Sequence, residues 1–454
     1  MNVSISFWGG SDTVTGSKYL VQYGHQQLLV DCGLFQGYKQ LRLRNRVPLP
    51  LPPARIDAVV LTHAHLDHSG YLPLLARQGF QRQVYCTPGT RDLCAILLPD
   101  SGHIQEEDAA FANRRGFSKH SPAEPLYTRE DALRCLKLLH AQPFGHRFEP
   151  LPGWHATFFP AGHILGAASL LLEVDGERIL FSGDLGRPDD LLMKPPARPP
   201  AADVVLVEST YGDRVHPDIG VLEELGGALK RVIARAGVAV VPVFAVGRAQ
   251  LVMLAIQQLK GRHELPAGLP VFLDSPMAIH TTALFGHHLG SHRLDEHQVR
   301  QLAHAATMVE TPDQSRALAR RHGPMVILAA SGMATGGRVL HHLGLYAPDH
   351  RNMVLLTGYQ APGTRGDLLA RGARTVRIHG EDIPVRAEVV QLGSASAHAD
   401  SDQVLQWLRT MPAAPRQVYV VHGEREASDA LRRRIEHELR WSALVPEHGA
   451  AFSV

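Results

Sequence analysis

Strand-like patterns dominate the first part of the chain. Val3, Ile5 and Phe7 alternate with polar residues, and Gln26–Asp31 is a second short apolar run that ends at an acid. Because side chains two residues apart lie on the same face of a strand, we expect both segments to be β-strands. The uninterrupted run Ile56–Leu61 is apolar and rich in β-branched residues, which is typical of a buried strand.

Helices and then a hairpin are expected next. Thr87–Arg115 has helical composition, and Thr128 and Asp131 have the spacing of a capping box that opens a helix reaching Leu139. The strand pattern then returns, because the segments LLLEV and ERILF flank Asp175-Gly176, a dipeptide that favours a two-residue turn. The two segments are therefore expected to form a β-hairpin.

The second half of the chain alternates between strand and helix patterns. Four apolar runs have the length and composition of buried strands, at residues 238–244, 270–274, 325–330 and 352–356. Between the first two, residues 248–260 place their leucines on one face of a helix. Strands that alternate with helices predict a mainly parallel sheet.

Composition limits the class of protein. A chain of 454 residues is long enough for two or more domains, and 44% hydrophobic with 20% charged residues describes an ordinary globular protein. The net charge of +2 does not favour nucleic acid, so any polyanion site must be local. The four cysteines lack CxxC spacing, so we expect them to be core thiols in a reducing cytoplasm. No apolar stretch approaches the roughly 18 residues of a membrane span.

One local run of positive charge, Tyr38–Arg46, admits two interpretations. It carries Lys39, Arg42, Arg44 and Arg46. These side chains could bind phosphate groups, but a run of charge is more often a solvated face of the protein. The solvated face is the favoured interpretation.

The segment Leu61–Gly70, LTHAHLDHSG, carries the strongest chemical signal. It places His63, His65, Asp67 and His68 just after the predicted buried strand. In extended chain the first two share a face and can reach one metal ion, whereas the other two lie on the following turn and point elsewhere. Two adjacent metal ions fit this arrangement better than one. The alternative is a histidine-rich surface turn in a chain that holds 27 histidines.

Two further candidate ligands flank the predicted hairpin. His163 lies in a glycine-bounded loop before its first strand, and Asp184 follows its second strand. Pairing of the strands would bring both residues to the same end of the sheet. The alternative for each is ordinary turn chemistry, and the matched placement favours metal binding.

In this order, the motifs resemble the metallo-β-lactamase superfamily, whose members include lactamases, glyoxalases, lactonases and nucleases. Three further residues at strand ends or in glycine-bounded turns, Glu208, His398 and His422, are similar to motifs A, B and C of its β-CASP group of nucleases. The resemblance implies an α/β protein: an αβ/βα four-layer sandwich with an inserted α/β domain. It places the sandwich domain at residues 1–211 and 390–454, and the inserted β-CASP domain at residues 212–389.

The resemblance also implies roles at the site. His63, His65 and His163 would hold one zinc ion, Asp67, His68 and His422 a second, and Asp184 would bridge them. Two Zn²⁺ ions suit histidine and carboxylate ligands, with Mn²⁺ as the alternative. Asp31 would orient a ligand. His398, outside the ligand set, would donate a proton to the leaving group, and Glu208 would fix its tautomer and raise its pKa; Asp67 and Asp184 complete the catalytic set.

Substrate contacts are expected in the insertion. The loop Ala330–Arg338, ASGMATGGR, follows a strand and opens a helix, so its backbone N–H groups could hold a phosphate. The residues assigned to substrate binding, mainly through the resemblance, are Arg248, Ser331, Thr335, Gly336 and Arg338. The alternative is a tight glycine turn with a solvated arginine.

Three functions compete. The favoured one is an endonuclease acting on single-stranded RNA in RNA processing or decay, to which 5′-to-3′ exonuclease activity could be added. The second is a DNA nuclease of the same group, in which the position of His422 is often valine. The third is a small-molecule hydrolase, which needs neither the insertion nor the Glu208 and His398 pair. RNA is thus the expected partner and the cytoplasm the expected location, with no membrane involved and with a homodimer left open.

Overall fold

The structure, a computed structural model, describes residues 2–116 and 121–454. Its strands are β1 (Ser4–Gly9), β2 (Lys18–Tyr23), β3 (Gln26–Val30), β4 (Ala58–Val60), β5 (Val84–Cys86), β6 (Leu139–Ala141), β7 (Arg147–Phe148), β8 (His155–Pro160), β9 (Ala168–Val174), β10 (Glu177–Phe181), β11 (Val204–Glu208), β12 (Val238–Pro242), β13 (Val271–Asp274), β14 (Thr307–Met308), β15 (Met325–Ala329), β16 (Met353–Leu356), β17 (Thr375–Ile378), β18 (Glu381–Pro384), β19 (Glu388–Gln391), β20 (Gln417–Val421), β21 (Ala443–Leu444) and β22 (Ala451–Ser453).

The α-helices are α1 (Lys39–Arg44), α2 (Leu66–Ser69), α3 (Leu72–Arg77), α4 (Pro88–Arg115), α5 (Arg129–Cys135), α6 (Val221–Ala234), α7 (Arg248–Gly261), α8 (Pro276–Leu284), α9 (Glu296–Ala303), α10 (Pro312–Leu318), α11 (Arg338–Tyr346), α12 (Arg365–Ala370), α13 (Ser401–Arg409) and α14 (Arg425–Arg434). Short 3₁₀ segments are Pro53–Arg55, Leu136–Leu138, Phe285–His287, Leu289–Ser291 and Gly393–Ala395, and a π-helical turn, Ile435–Leu439, continues α14.

The chain forms two compact units. The first unit comprises residues 1–189, 195–215 and 398–454, and the second comprises residues 190–194 and 216–397. The main segment of the second unit begins four residues after the predicted start of the insertion, 212, and continues past the predicted end, 389, which falls inside β19; this strand pairs with β16 along its whole length. The second unit also takes in a short stretch near residue 190 that the sequence did not indicate.

Two seven-stranded sheets form the centre of the first unit. Their strand orders are β22-β1-β2-β3-β4-β5-β6 and β21-β20-β11-β10-β9-β8-β7. Val204 and Leu206 of β11 belong to the core cluster shared by both sheets, whereas Val205 and Val207 belong to a separate cluster with α13 and α14. Because successive side chains of a strand point to opposite faces, β11 is buried on both faces. The helices α13 and α14 thus cover the outer face of the second sheet.

The first sheet has helices beside it as well, with α4 in contact with β6. The layer order is therefore αβ/βα, as the resemblance implies. The hairpin prediction is also confirmed, because β9 and β10 pair with Val174 opposite Glu177. Asp175 and Gly176 have φ values of +50° and +84°, the left-handed conformations that a two-residue turn of this kind requires.

The second unit is built on a parallel sheet in the order β14-β13-β15-β12-β16-β19. Its core also alternates by face: Ala239 and Val241 of β12 pack in a cluster with α6 and α7, while Val238 and Val240 pack in a cluster with α11. The four strands predicted for this region are β12, β13, β15 and β16. The sequence missed β14 and β19, which are short or only half buried.

The predicted start of α5 is confirmed, but its predicted end is wrong. The capping box of Thr128 and Asp131 is present, but α5 ends at Cys135 rather than Leu139, since a 3₁₀ turn follows and Leu139 begins β6 beside β5. Strand pairing thus overrides helical propensity there.

Among the described residues, no helix is long and apolar enough to cross a membrane.

Candidate metal and catalytic centre

The candidate site gathers at the ends of neighbouring strands. In the first sheet, Asp31 follows β3 and His63 follows β4, and these two strands run parallel. In the second sheet, Asp184 follows β10, while Glu208 ends β11. Carboxyl ends of parallel strands meet at one edge of a sheet, so the chain delivers polar side chains to a common edge.

Two histidines from other strands complete the site. β20 runs parallel to β11 with Val421 opposite Glu208, so His422 emerges beside that carboxylate. His163 precedes β9, and the antiparallel pairing of β9 with β10 brings it to the same end as Asp184. All the predicted ligands lie within the first unit.

Three histidines form a first cluster. His65 Nδ1 lies 3.2 Å from His63 Nε2 and 3.2 Å from His163 Nε2. Asp184 Oδ2 lies 3.4 Å from the His63 nitrogen and 3.6 Å from the His163 nitrogen. Four ligand-type atoms therefore face one point.

A second cluster lies on the other side of Asp184. His68 Nε2 is 3.1 Å from His422 Nε2, which is 3.5 Å from Asp67 Oδ2. Asp184 Oδ1 is 3.2 Å from the His68 nitrogen. The two oxygens of Asp184 thus face different clusters, so this carboxylate is placed to serve both.

The donor set fits metal ions. Ligands bound tetrahedrally at about 2.0–2.1 Å stand roughly 3.3 Å from one another, which is the spacing within each cluster. His68 Nδ1 lies 2.8 Å from Asp31 Oδ2, so the proton of this ring sits on Nδ1 and the lone pair of Nε2 faces the cluster. The arrangement suits two adjacent ions coordinated by nitrogen and oxygen.

Asp31, which the resemblance assigns to orienting a ligand, contacts Thr62 as well as His68. Its carboxylate also accepts the backbone N–H of Thr62 at 2.7 Å and the Thr62 hydroxyl at 2.9 and 3.0 Å. Thr62 Oγ1 is in turn 3.2 Å from His63 Nδ1. A single buried carboxylate therefore orients residues of both clusters. Gly33 makes room for this packing, since a Cβ there would stand 1.6 Å from the carbonyl oxygen of Asp67.

Sequence reasoning missed Thr62 and a second threonine, Thr210. The hydroxyl of Thr210 lies 3.2 Å from His422 Nδ1, a nitrogen that is also 3.5 Å from Asp184 Oδ1. Both threonines stand beside recognised motif residues, Thr62 immediately before His63 and Thr210 two residues after Glu208. That adjacency was the available signal, but which ring a hydroxyl reaches depends on the fold.

His398 lies beside both clusters, with its Nδ1 4.0 Å from Asp184 Oδ2, and it forms a third group of ligand-type atoms with Asp184 and Glu208. Its Nδ1 lies 3.2 Å from each oxygen of Glu208, and its ring centre lies 4.4 Å from that of His163. Glu208 is buried, and it also accepts the backbone N–H of Leu185 at 2.6 Å. The pair is thus a histidine whose Nδ1 is held by a fixed carboxylate.

Neighbouring charges shift the pKa values of ionisable side chains in the site. Burial by itself lowers the pKa of His398, but the charge of Glu208 and its hydrogen bond outweigh burial, and the pKa lies above its usual 6.5. Burial by itself raises the pKa of Asp184, but the neighbouring His422 and His68 outweigh burial, and this pKa lies well below its usual 3.8. Asp184 is thus an anion, and His398 can carry a proton near neutral pH.

Three family models match successive parts of the chain: the metallo-beta-lactamase superfamily at residues 12–229, the Beta-Casp domain at 249–369, and the Zn-dependent metallo-hydrolase RNA specificity domain at 382–446. Ribonuclease TTHA0252 of Thermus thermophilus is 37% identical over 432 residues, which cover 93% of this chain and 94% of that protein. The chain belongs to the β-CASP group of the metallo-β-lactamase superfamily.

Other relatives of this β-CASP chain come from Methanocaldococcus jannaschii. Transcription termination factor FttA is 31% identical, over 95% of this chain and 69% of that protein. An RNase J-like protein is 29% identical, over 100% of both chains. A solved structure of a protein of unknown function from Enterococcus faecalis V583 shares the fold, with a TM-score of 0.54 at 14% identity over 100% of both chains.

Arg248, which the sequence assigned to substrate, has a structural position within the β-CASP insertion. Its side chain is only 3% exposed. One guanidinium nitrogen donates to the carbonyl oxygen of Ala395 at 2.8 Å, and another to Asp190 Oδ2 at 3.2 Å. In this structure Arg248 is therefore not available to a phosphate group, because it holds distant parts of its own unit together.

Arg338 is also occupied. Its Nη1 donates to Asp274 Oδ1 at 2.6 Å and to the carbonyl oxygen of Val309 at 3.0 Å, and its Nη2 donates to the carbonyl oxygen of Glu310 at 2.7 Å. Asp274 is fully buried at the end of β13, so this arginine neutralises an internal carboxylate. The Arg338 side chain itself is 23% exposed, so the ion pair with Asp274 is its observed contact and the predicted phosphate contact stays a prediction.

The remaining substrate candidates lie together in one loop. Ser331 Oγ accepts the backbone N–H groups of Thr335 at 3.0 Å and of Gly336 at 3.3 Å. Two backbone N–H groups of the loop are therefore directed at one oxygen, the Oγ of Ser331. A phosphate contact by Ser331, Thr335 and Gly336 stays a prediction.

Proposed function

We propose that this β-CASP protein is a dinuclear zinc ribonuclease that hydrolyses phosphodiester bonds of single-stranded RNA. The observation that carries the proposal is the pairing of two ligand clusters around Asp184 with a separate histidine held by Glu208. A metal-binding protein without hydrolytic activity has no need of the second feature. His63, His65 and His163 would hold one ion, Asp67, His68 and His422 the other, and Asp184 both; manganese is the alternative metal.

The chemistry divides between the metals and the chain. When bound, such a pair of ions lowers the pKa of a water molecule and offsets phosphate charge. Attack of water on phosphorus breaks the bond to the ribose 3′-oxygen, which needs a proton. Because Glu208 holds Nδ1 of His398, Nε2 is the nitrogen that gives that proton. The products are a 5′-phosphate and a 3′-hydroxyl. Asp31 holds the Nδ1 proton of His68, so that ring presents its lone pair to the cluster.

RNA is the proposed substrate because of the relatives and the family models. One relative is named a ribonuclease, another an RNase J-like protein, and one matched model is named an RNA specificity domain. We propose endonuclease activity, with 5′-to-3′ exonuclease activity as an addition. A cytoplasmic location is proposed because the four cysteines are free and buried.

The first test compares three purified proteins: wild type, His398→Ala and Asp67→Ala. Each is assayed for bound metal by mass spectrometry and then incubated with RNA and DNA of equal sequence, labelled at either end. We expect wild type to hold two ions per chain and to cleave RNA, leaving 5′-phosphate ends. His398→Ala should keep both ions and lose at least a hundredfold in kcat, because only the proton donor is removed. Asp67→Ala should lose metal and activity together.

Each alternative has its own outcome. Faster cleavage of the DNA would assign a DNA nuclease. A fully metallated wild type that cleaves neither polymer, but hydrolyses a lactone or thioester, would assign a small-molecule hydrolase. Full activity in His398→Ala, or loss of its metal, would remove His398 from the proton-donor role.

A further inference from the structure

A surface segment of the first unit carries charge that the proposed reaction does not use. The basic segment, Tyr38–Val47, includes α1 and holds Lys39, Arg42, Arg44 and Arg46. No Asp or Glu occurs from residue 32 to residue 56. All four cations are exposed, and no residue of α1 is buried. The segment is therefore a concentrated patch of positive charge facing solvent.

The protein itself leaves this charge uncompensated. Among the described residues, none of the four cations lies within 4.0 Å of a carboxylate, although Arg46 donates to the carbonyl oxygen of Glu124 at 2.7 Å and Arg44 lies over the ring of Phe35. Other surface arginines of the same unit, such as Arg432 and Arg434, are each paired with two acids. A merely solvated helical face commonly carries such neighbouring pairs, and the basic segment carries none. Its charge is available to a partner.

Exposed apolar side chains are interleaved with the cations. Tyr38, Leu43 and Val47 are 50%, 51% and 60% exposed, and they fall within ten residues of one another in sequence. An aromatic ring among unpaired cations is the pattern of surfaces that bind single-stranded nucleic acid, where bases stack on rings and cations contact phosphates. An acidic protein would match the charge but would give the tyrosine no specific use.

The segment is tied to the metal cluster by a short chain of hydrogen bonds. The backbone N–H of Cys32 donates to His68 O at 2.7 Å, and that of Leu34 donates to Leu66 O at 2.8 Å. The buried side chain of Asn45 forms two hydrogen bonds with the backbone of the next residue, Phe35: its Nδ2 donates to the carbonyl oxygen at 2.8 Å, and its Oδ1 accepts the N–H at 2.9 Å. The base of the basic segment is thus fixed to the helix that carries the candidate ligands, and RNA bound there would lie beside the site.

We propose that the basic segment is a docking surface for the single-stranded RNA substrate, with Lys39 and Arg42 contacting phosphates and Tyr38 stacking on a base. The proposal rests on the proposed ribonuclease function for the identity of the polymer. The cut is made at the metal centre, and the segment binds nucleotides outside it. The segment therefore affects binding of long RNA and leaves the chemical step alone.

The test uses Lys39→Gln/Arg42→Gln, which removes two exposed charges without altering buried groups. The control is Arg82→Gln/Lys137→Gln, an equal change of charge at another exposed patch of the same unit. Arg82 precedes β5, whereas the ligands follow the carboxyl end of its parallel neighbour β4, so the control patch lies toward the opposite edge of the sheet. All binding measurements use a His398→Ala background with both metals loaded, so that RNA stays intact.

We expect the basic-segment variant to bind a 20-nucleotide RNA at least tenfold more weakly than its parent. The slope of log affinity against log salt should fall by about 1.4, since single strands contribute about 0.7 per neutralised phosphate. With His398 restored, KM for the 20-mer should rise while kcat stays within twofold, and cleavage of a tetranucleotide should not change. Tyr38→Ala should weaken binding without changing the salt slope, whereas Tyr38→Phe should retain binding.

The outcomes separate the two proposals. If wild type cleaves no RNA but the variant still loses affinity and salt slope, the docking surface stands and the ribonuclease proposal fails. If wild type cleaves RNA and the variant keeps the parent slope, or the control loses as much, the docking surface is refuted and the ribonuclease proposal stands. A change in sedimentation without a change in RNA affinity would assign the segment to protein contact and would also refute it.

Discussion

Thr210 illustrates how a single hydroxyl can control a metal ligand. It lies 3.2 Å from His422 Nδ1, so it fixes the rotation of the ring that presents Nε2 to the second cluster. We expect Thr210→Val, which keeps the shape and removes the hydroxyl, to weaken binding of the second metal ion at least tenfold. Competition with a chromophoric zinc chelator measures this affinity.

Thr157→Val is the matched control. Thr157 lies on β8 in the same unit, and its hydroxyl forms no hydrogen bond with the described residues. Both zinc affinities should be unchanged in the control. An unchanged second affinity in Thr210→Val would mean that the hydroxyl does not position His422.

Lys18 gives a prediction about pH because it is buried and forms no ion pair with a carboxylate within residues 2–116 and 121–454. Its ammonium donates to the carbonyl oxygens of Gly33 and Gly16 and lies 4.8 and 4.6 Å from the ring centres of Phe35 and Tyr71. Burial, only partly offset by Cys32, lowers the pKa of Lys18 from 10.5 to about 8. Folding therefore disfavours the charged form of this side chain.

The stability effect of Lys18 has a definite sign. Below pH 8 the lysine is charged in both states, and its full desolvation cost opposes folding. Between pH 8 and 10.5 it is neutral when folded and charged when unfolded, so the free energy of unfolding rises with pH, by about 3 kcal/mol in total. Lys18→Met lacks this dependence. The wild-type minus variant difference, measured by urea unfolding with tryptophan fluorescence, should rise across that window; a flat difference would contradict the lowered pKa.

At the scale of elements, the β9–β10 hairpin controls the position of two candidate ligands. Its turn residue Gly176 has a φ of +84°, where an L-residue with a Cβ is strained. We expect Gly176→Ala to lower the free energy of unfolding by about 1 kcal/mol, and Gly176→Asn by less, because asparagine tolerates this conformation. All four tryptophans lie in the first unit, so their fluorescence in urea reports this unit. Equal losses for the two variants would show that the turn conformation is not the cause.

Elements could be predicted where the pattern of one segment decides its structure. The Asp175-Gly176 turn and the four main strands of the second unit are such cases, because their chemistry or burial is local. The end of α5 and the short strand β14 are not, since Leu139 and Thr307 are held by partners elsewhere in the chain. Element ends therefore depend on pairing that a single segment does not encode.

For the site too, residues that one segment carries could be predicted from the sequence, whereas contacts between distant residues could not. His63, His65, Asp67 and His68 could be singled out because one segment carries them. The predicted hairpin added His163 and Asp184, and the resemblance added Glu208, His398 and His422. Thr210 and the internal ion pair of Arg338 could not, because their partners are set by three-dimensional proximity alone. The assignment of Arg338 to phosphate came mainly from the resemblance, whereas its ion-pair partner in the structure, Asp274, lies 64 residues earlier in the chain.

Arg248 tests the long-range organisation of the second unit. It joins Asp190 and Ala395, which lie near two of the four places where the chain passes between the units. The ion pair with Asp190 is 3% exposed on both sides, so removing one partner leaves an uncompensated buried charge. We expect Arg248→Met to lower the free energy of unfolding by about 3–5 kcal/mol.

A double-mutant cycle with Asp190→Asn shows whether charge is the cause. Asparagine keeps an oxygen for the backbone N–H groups of Leu192 and Met193, which Asp190 Oδ1 accepts at 2.7 and 2.9 Å, and removes only the charge. Asp190→Asn should therefore destabilise wild type, which keeps a buried arginine, but stabilise Arg248→Met, which keeps a buried carboxylate. Calorimetry is the measurement, because the tryptophans lie outside the second unit. The same sign in both backgrounds would mean that Arg248 acts through packing, and the ion pair would then not be what holds these segments together.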